Sequence, residues 1–203
     1  MADTPITLRS GKTLSEVSEA SGLSEEAQAL FATDIAGKEY VDLLVQNEHY
    51  ADAVRFLAHA LPRREAVWWA WVSAKRSAGD EPALELREVL EATEAWIKEP
   101  TDQNRRMAME KAEAADFATA AGCAGLAAFL SGDSLAPPDI DPVPPGEYMA
   151  ANAIAGAIVL AAVSSEPESA KEKFQGFVEQ GLAVAGKIEL WTPADATDAP
   201  PNR

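Results

Sequence analysis

Two stretches of this chain, 117–132 and 148–165, carry no charged residue and are built mainly of alanine, and they restrict the fold more than any other feature. Alanine is the strongest helix former and presents a small surface on every side of a helix, so such segments predict helices at the centre of a bundle, where backbones approach closely. Each is at or below the ~20 strongly apolar residues that a bilayer span needs. They therefore read as buried helices, with no membrane insertion. Gly122, Gly125, Gly156, Gly176 and Gly181 lie within helical runs and each costs roughly 1 kcal/mol relative to alanine, which predicts close helix crossings there.

The rest of the chain follows the same rule. Apolar residues recur at helical spacing, no run shows the period-two alternation of a half-buried strand, and proline or glycine stands at most of the breaks. The class is all-α: one domain of about eight helices in antiparallel pairs. Residues 1–36 read as short N-terminal helices, with Thr13 and Glu16 forming a capping box and Ser24 capping the next helix. Residues 37–190 form the main helical domain. Within it Val54, Leu57, Ala58 and Leu61 share a face, and Pro62 suits the first position of the following helix, predicting a tight corner. Thr101 is expected to cap one long helix reaching about Leu130. The segment 133–146 holds Pro137, Pro138, Pro142, Pro144 and Pro145 and predicts a stiff crossing. Ser165 with Glu168 suggests a second capping box before the last helix, and 191–203 reads as a disordered tail.

With 17 basic against 33 acidic residues the net charge is -16. Such a surface repels phosphate backbones and anionic headgroups, which argues against nucleic acid as a partner. Residues 1–12 lack the apolar core of a signal peptide, and the expected location is cytoplasmic. The single cysteine, Cys123, has small apolar neighbours that would not activate a thiol. Gly181 to Lys187 has the glycine and lysine spacing of a phosphate loop, but Ile188 replaces the required hydroxyl and the run is helical, and Gly11-Lys12-Thr13 lacks the first glycine. His49 has only Asp52 at helical spacing and His59 has no acid there, short of a metal helix, and Asp139 and Asp141 lack the remainder of a calcium loop. No metal or cofactor is expected.

What stands out is a set of basic doublets on an acidic background: Arg63 with Arg64, Lys75 with Arg76, and Arg105 with Arg106. They fit either intramolecular pairs or a docking patch for an acidic protein. Near the first two, Trp68, Trp69 and Trp71 share one helix and cannot all face one way. The stripe Val67, Ala70, Trp71 and Ala74 reads as core, which leaves Trp69 either as a further core residue or at a rim, where tryptophan and arginine are favoured interface anchors. The expected function is thus a non-enzymatic adaptor binding another protein through Trp69 and these basic residues. The alternative is a hydrolase or transferase whose site gathers distant residues such as His49, His59 and Glu65.

The run from Tyr50 to Pro62, continued by Arg64 to Ala70, and the later run Trp96 to Pro100 with Arg105, Arg106 and Ala108 resemble a family of uncharacterised bacterial all-helical proteins over about residues 40 to 190. The resemblance implies a bacterial origin and an accessory role in a type VI secretion gene neighbourhood. It brings no active-site residues with it.

Overall fold

A computed structural model describes residue 8 and residues 11–32 and 34–191. Among them there are ten α-helices and no strand: α1 (Leu14–Ala20), α2 (Glu25–Ala29), α3 (Gly37–Gln46), α4 (Tyr50–Ala60), α5 (Arg63–Ala78), α6 (Leu84–Lys98), α7 (Asp102–Ala115), α8 (Ala120–Leu130), α9 (Met149–Val163) and α10 (Ala170–Lys187). The all-α reading holds, with more helices than the spacing predicts. The tail 192–203 and the start of the N-terminal segment lie outside the described residues. Trp191 belongs to the packed body, its ring filling the space beside Gly37 and Leu14.

Local chemistry accounts for many of the boundaries. Thr13 and Glu16 form the predicted capping box, and the hydroxyls of Ser24 and Thr101 accept from the amides of Ala27 and Asn104, each at 3.2 Å. Two boundaries differ from expectation. The long helix after Thr101 breaks at Asp116, whose φ of 65° leaves the helical region; its carboxylate accepts from Ala118 N at 2.9 Å, and Thr119 then caps α8. Ser165 and Glu168 form no capping box: Glu166 is left-handed, Pro167–Ser169 makes a 3-10 turn, and Lys173 donates instead to the carbonyl and hydroxyl of Ser165.

The alanine-rich helices α8 and α9 make the most extensive helix contact in the molecule. Alanines and glycines are buried around most of the circumference of α8, so α7, α6 and α5 can all pack against it. Gly125 shows the reason for a missing side chain, since a Cβ there would stand 2.6 Å from Val89 Cγ2 of α6. At Gly156 and Gly176 the nearest atoms are 3.8 and 3.5 Å away, and no crossing explains those two.

The small helices are tied to the body by polar anchors. Asp52 of α4 accepts from the amide and the hydroxyl of Ser24, both at 3.0 Å. Tyr40 donates to the carbonyl of Ala27 at 2.7 Å from a cage of Phe31 and Phe56, and burial pushes its phenol up to about 12. No single helix among the described residues is long and apolar enough to cross a membrane, and α9 meets the segment 167–187 at a bend of 116°.

Candidate functional site

Helix α5 has two faces. Ala66, Val67, Trp69, Ala70, Ser73 and Ala74 are buried toward α8, α9 and α10. On the other side Arg64, Trp68, Trp71, Val72 and Lys75 recur at helical spacing along an accessible stripe next to α6. Two clefts open along that stripe. One, of about 330 Å³, is lined by Arg64, Glu65, Trp68, Ile97, Val184, Lys187 and Ile188; the other, of about 680 Å³, includes Trp71, Lys75, Arg76, Arg87 and Leu90.

This geometry corrects the tryptophan assignment. Trp69 is fully buried, its indole N–H donates to the carbonyl of Phe177 at 2.8 Å, and Gly181 of α10 is small enough to admit the ring, where a Cβ would come within 2.9 Å of it. It is a core residue joining α5 to α10. Trp71, expected in the core, is half-buried at the edge, donating to Leu90 O at 2.8 Å. Trp68, also half-buried, is the tryptophan that lines the first cleft.

The basic doublets separate as well. Arg105 is 4% exposed and reaches Asp102, the carbonyl of Phe129 at 2.7 Å and that of Ser134 at 2.7 Å. Arg106 takes the second Asp102 oxygen at 2.7 Å and bonds Ala136 O. These two arginines fasten the proline segment to α7 and α8, and Arg105 is not a surface residue. Both partners hold the Asp102 carboxyl below the usual carboxylate range, Arg106 foremost.

Arg63, Arg64, Lys75 and Arg76 are exposed and pair with no described carboxylate, although the chain is acidic. Arg64 donates to the last carbonyls of α6, Ile97 O at 2.7 Å and Lys98 O at 3.1 Å. Lys75 lies over the Trp71 ring at 4.8 Å and Arg76 over Phe177 at 5.9 Å. The remaining described cations without an ion pair, Lys12, Arg87 and Lys187, also line clefts. Pairing consumes the cations elsewhere and spares those at the clefts.

The histidines do not assemble with Glu65. His49 and His59 lie at opposite ends of α4, and Glu65 and His59 line different clefts. His49 Nδ1 stands 4.0 Å from Asp52, whose carboxylate is already held by Ser24 and by Arg55 at 3.2 Å. There the carboxylate sits between serine and histidine, so the imidazole has no hydroxyl to activate. His59 Nε2 meets the amide oxygen of Asn152 at 3.3 Å. Cys123 donates to Phe117 O at 3.0 Å, and burial raises its thiol pKa. Among the described residues no group of His, Cys, Asp and Glu could hold a metal ion.

The model of a family of unknown function, DUF6931, matches residues 40–185. The chain belongs to that family. The matched span runs from α3 almost to the end of α10 and contains the whole outward face of α5. No curated protein and no solved structure matches the chain. In this DUF6931 member, α1 and α2 precede the matched span, and Lys187 lies just beyond it.

Proposed function

We propose that this protein is a non-enzymatic accessory or adaptor protein that binds an acidic segment of another protein along the outward face of α5, in a bacterial setting such as type VI secretion. One observation carries the reading: Arg64, Lys75 and Arg76 make no ion pair with a described carboxylate and stand beside the half-buried Trp68 and Trp71, on one helix of a chain with net charge -16. Unpaired cations on so acidic a protein attract a partner of opposite sign, and aromatic rings next to guanidinium groups make the strongest anchors at interfaces. The patch replaces the one built around Trp69, with Trp68 as its aromatic centre and without Arg105 and Arg106. The secretion setting comes from the sequence resemblance alone.

The test is affinity purification from a bacterial host with the wild-type chain and with Arg64→Glu/Lys75→Glu, followed by mass spectrometry. The reading expects a partner retained by the wild type and lost at least tenfold in the variant. A partner set equal in both, or a co-purifying metabolite with no protein partner, overturns it.

A further inference from the structure

A third recess, of about 500 Å³, lies on another side of the molecule, where α5 and α9 begin and α4 ends. Its lining includes Lys12, His59, Arg63, Glu147, Ala150 and Ala151. That volume is the size of a small-molecule site.

Three independent features point to the same chemistry. First, both cations are uncommitted: Arg63 makes no ion pair with a described carboxylate, and Lys12 only faces the Tyr148 ring at 5.6 Å. Second, α5 and α9 both begin at this recess, and neither N-terminus has a side-chain cap. Met149 N–H is taken by Gly146 O at 3.1 Å, but the N–H groups of Ala150 and Ala151, those of the first turn of α5 and both dipole ends favour an anion. Third, His59 is 3% exposed, yet its Nδ1 has no hydrogen-bond partner. An amide oxygen only accepts, so the bond to Asn152 puts the ring proton on Nε2 and leaves Nδ1 as a bare acceptor. A buried acceptor without a donor is an exception in folded proteins, and here it belongs to a side chain lining a cavity.

We propose that this recess binds a small molecule with an anionic group, carboxylate or phosphate, next to a hydrogen-bond donor. The anion sits between Arg63, Lys12 and the start of α9. The donor reaches His59 Nδ1 or the Glu147 carboxylate, which would repel a second anion and so limits the ligand to one. Burial keeps the His59 imidazole pKa below its ordinary value, so the ring stays the neutral acceptor that this arrangement needs. The site is separate from the α5–α6 clefts and does not depend on their role.

The chain has only two histidines, so the ring signals of His59 can be assigned with His49→Gln and followed by NMR. The probes are inorganic phosphate, L-serine, O-phosphoethanolamine and ethanolamine. The expected result is a saturable shift of the His59 ring with O-phosphoethanolamine, which joins one anion to an ammonium donor, and no shift with ethanolamine, which lacks the anion. Serine against phosphate then tells which oxyanion is preferred. Lys12→Ala/Arg63→Ala, which alters no buried side chain, should raise the half-saturation concentration at least tenfold with an unchanged circular dichroism spectrum. No shift with any anionic probe, an equal shift with ethanolamine, or binding within twofold in the double variant overturns the proposal.

Discussion

Two regions of this molecule use the same residue types to opposite ends. At the start of α7, Arg105 and Arg106 converge on Asp102, three and four residues earlier, and spend their other donors on the loop carbonyls of Phe129, Ser134 and Ala136. At the end of α5, Lys75 and Arg76 have no acid three or four residues earlier, where Trp71, Val72 and Ser73 stand. Carboxylates placed one helical turn away pair with cations, and without one the cation is left for solvent, a ring face or another molecule. Between these two doublets, the acid one turn earlier and not the net charge separates the paired cations from the unpaired ones.

Substitutions can break this contrast if it is wrong. The largest effect belongs to the inner face of α5. Trp69→Ala should cost about 3 to 5 kcal/mol in urea unfolding, because it empties a filled core site and removes the indole bond that ties α5 to Phe177 O of α10. Trp68→Ala, on the outer face, should cost far less. If the two were equal, the division of α5 into two faces would fail. Arg105→Ala comes next, at about 2 to 4 kcal/mol, since a side chain 4% exposed gives up its bonds to Asp102 and to the carbonyls of Phe129 and Ser134, of which Phe129 O keeps the Gly132 amide at 3.4 Å. Proteolysis of the segment 133–146 should accelerate in the same variant.

Acid titration sharpens the contrast. The lowered Asp102 pKa means that the Arg105–Arg106 corner contributes fully above the carboxyl's ordinary 3.8 and weakens as pH falls through the folded value. Lys75 and Arg76, with no carboxylate partner among the described residues, add nothing to this limb. His59 acts in a separate window. Its pKa is lowered by burial, so the unfolded chain takes up the proton first, and stability declines as pH drops below 6.5. His59→Gln should flatten the decline near pH 6, and Asp102→Asn should flatten the acid limb below pH 3.8. Unfolding midpoints against pH measure both.

Much of the fold was legible because its determinants are local. The caps at Thr13, Ser24 and Thr101, the corner at Pro62 and the small-residue core of α8 and α9 each depend on residues within a turn or two of one another. The break at Asp116 was harder to read, because Phe117 to Thr119 includes neither glycine nor proline. Its signal was Asp116 with Thr119, a turn-forming side chain followed by a cap. The orientation of Trp69 was not legible. Helix α5 has apolar residues on both faces, so spacing alone does not orient three tryptophans, and the partner that holds Trp69 is Phe177, 108 residues away. The recess at His59 was hidden for the same reason, being assembled from α4, α5, α9 and the segment before α1.

Arg64→Ala should fall between the extremes, at about 1 kcal/mol, because its bonds to the end of α6 are made to accessible carbonyls.

The smallest effect gives the most direct test. Urea unfolding of Lys75→Ala/Arg76→Ala and of Arg105→Ala/Arg106→Ala compares two basic doublets under one measurement. The account predicts a change within about 1 kcal/mol for the first, whose described contacts are two exposed cation–ring pairs, and a loss of about 2 kcal/mol or more for the second. Equal losses in the two variants would mean that the cations on α5 hold the fold as the arginines of α7 do, and the case for α5 as a binding face would be gone.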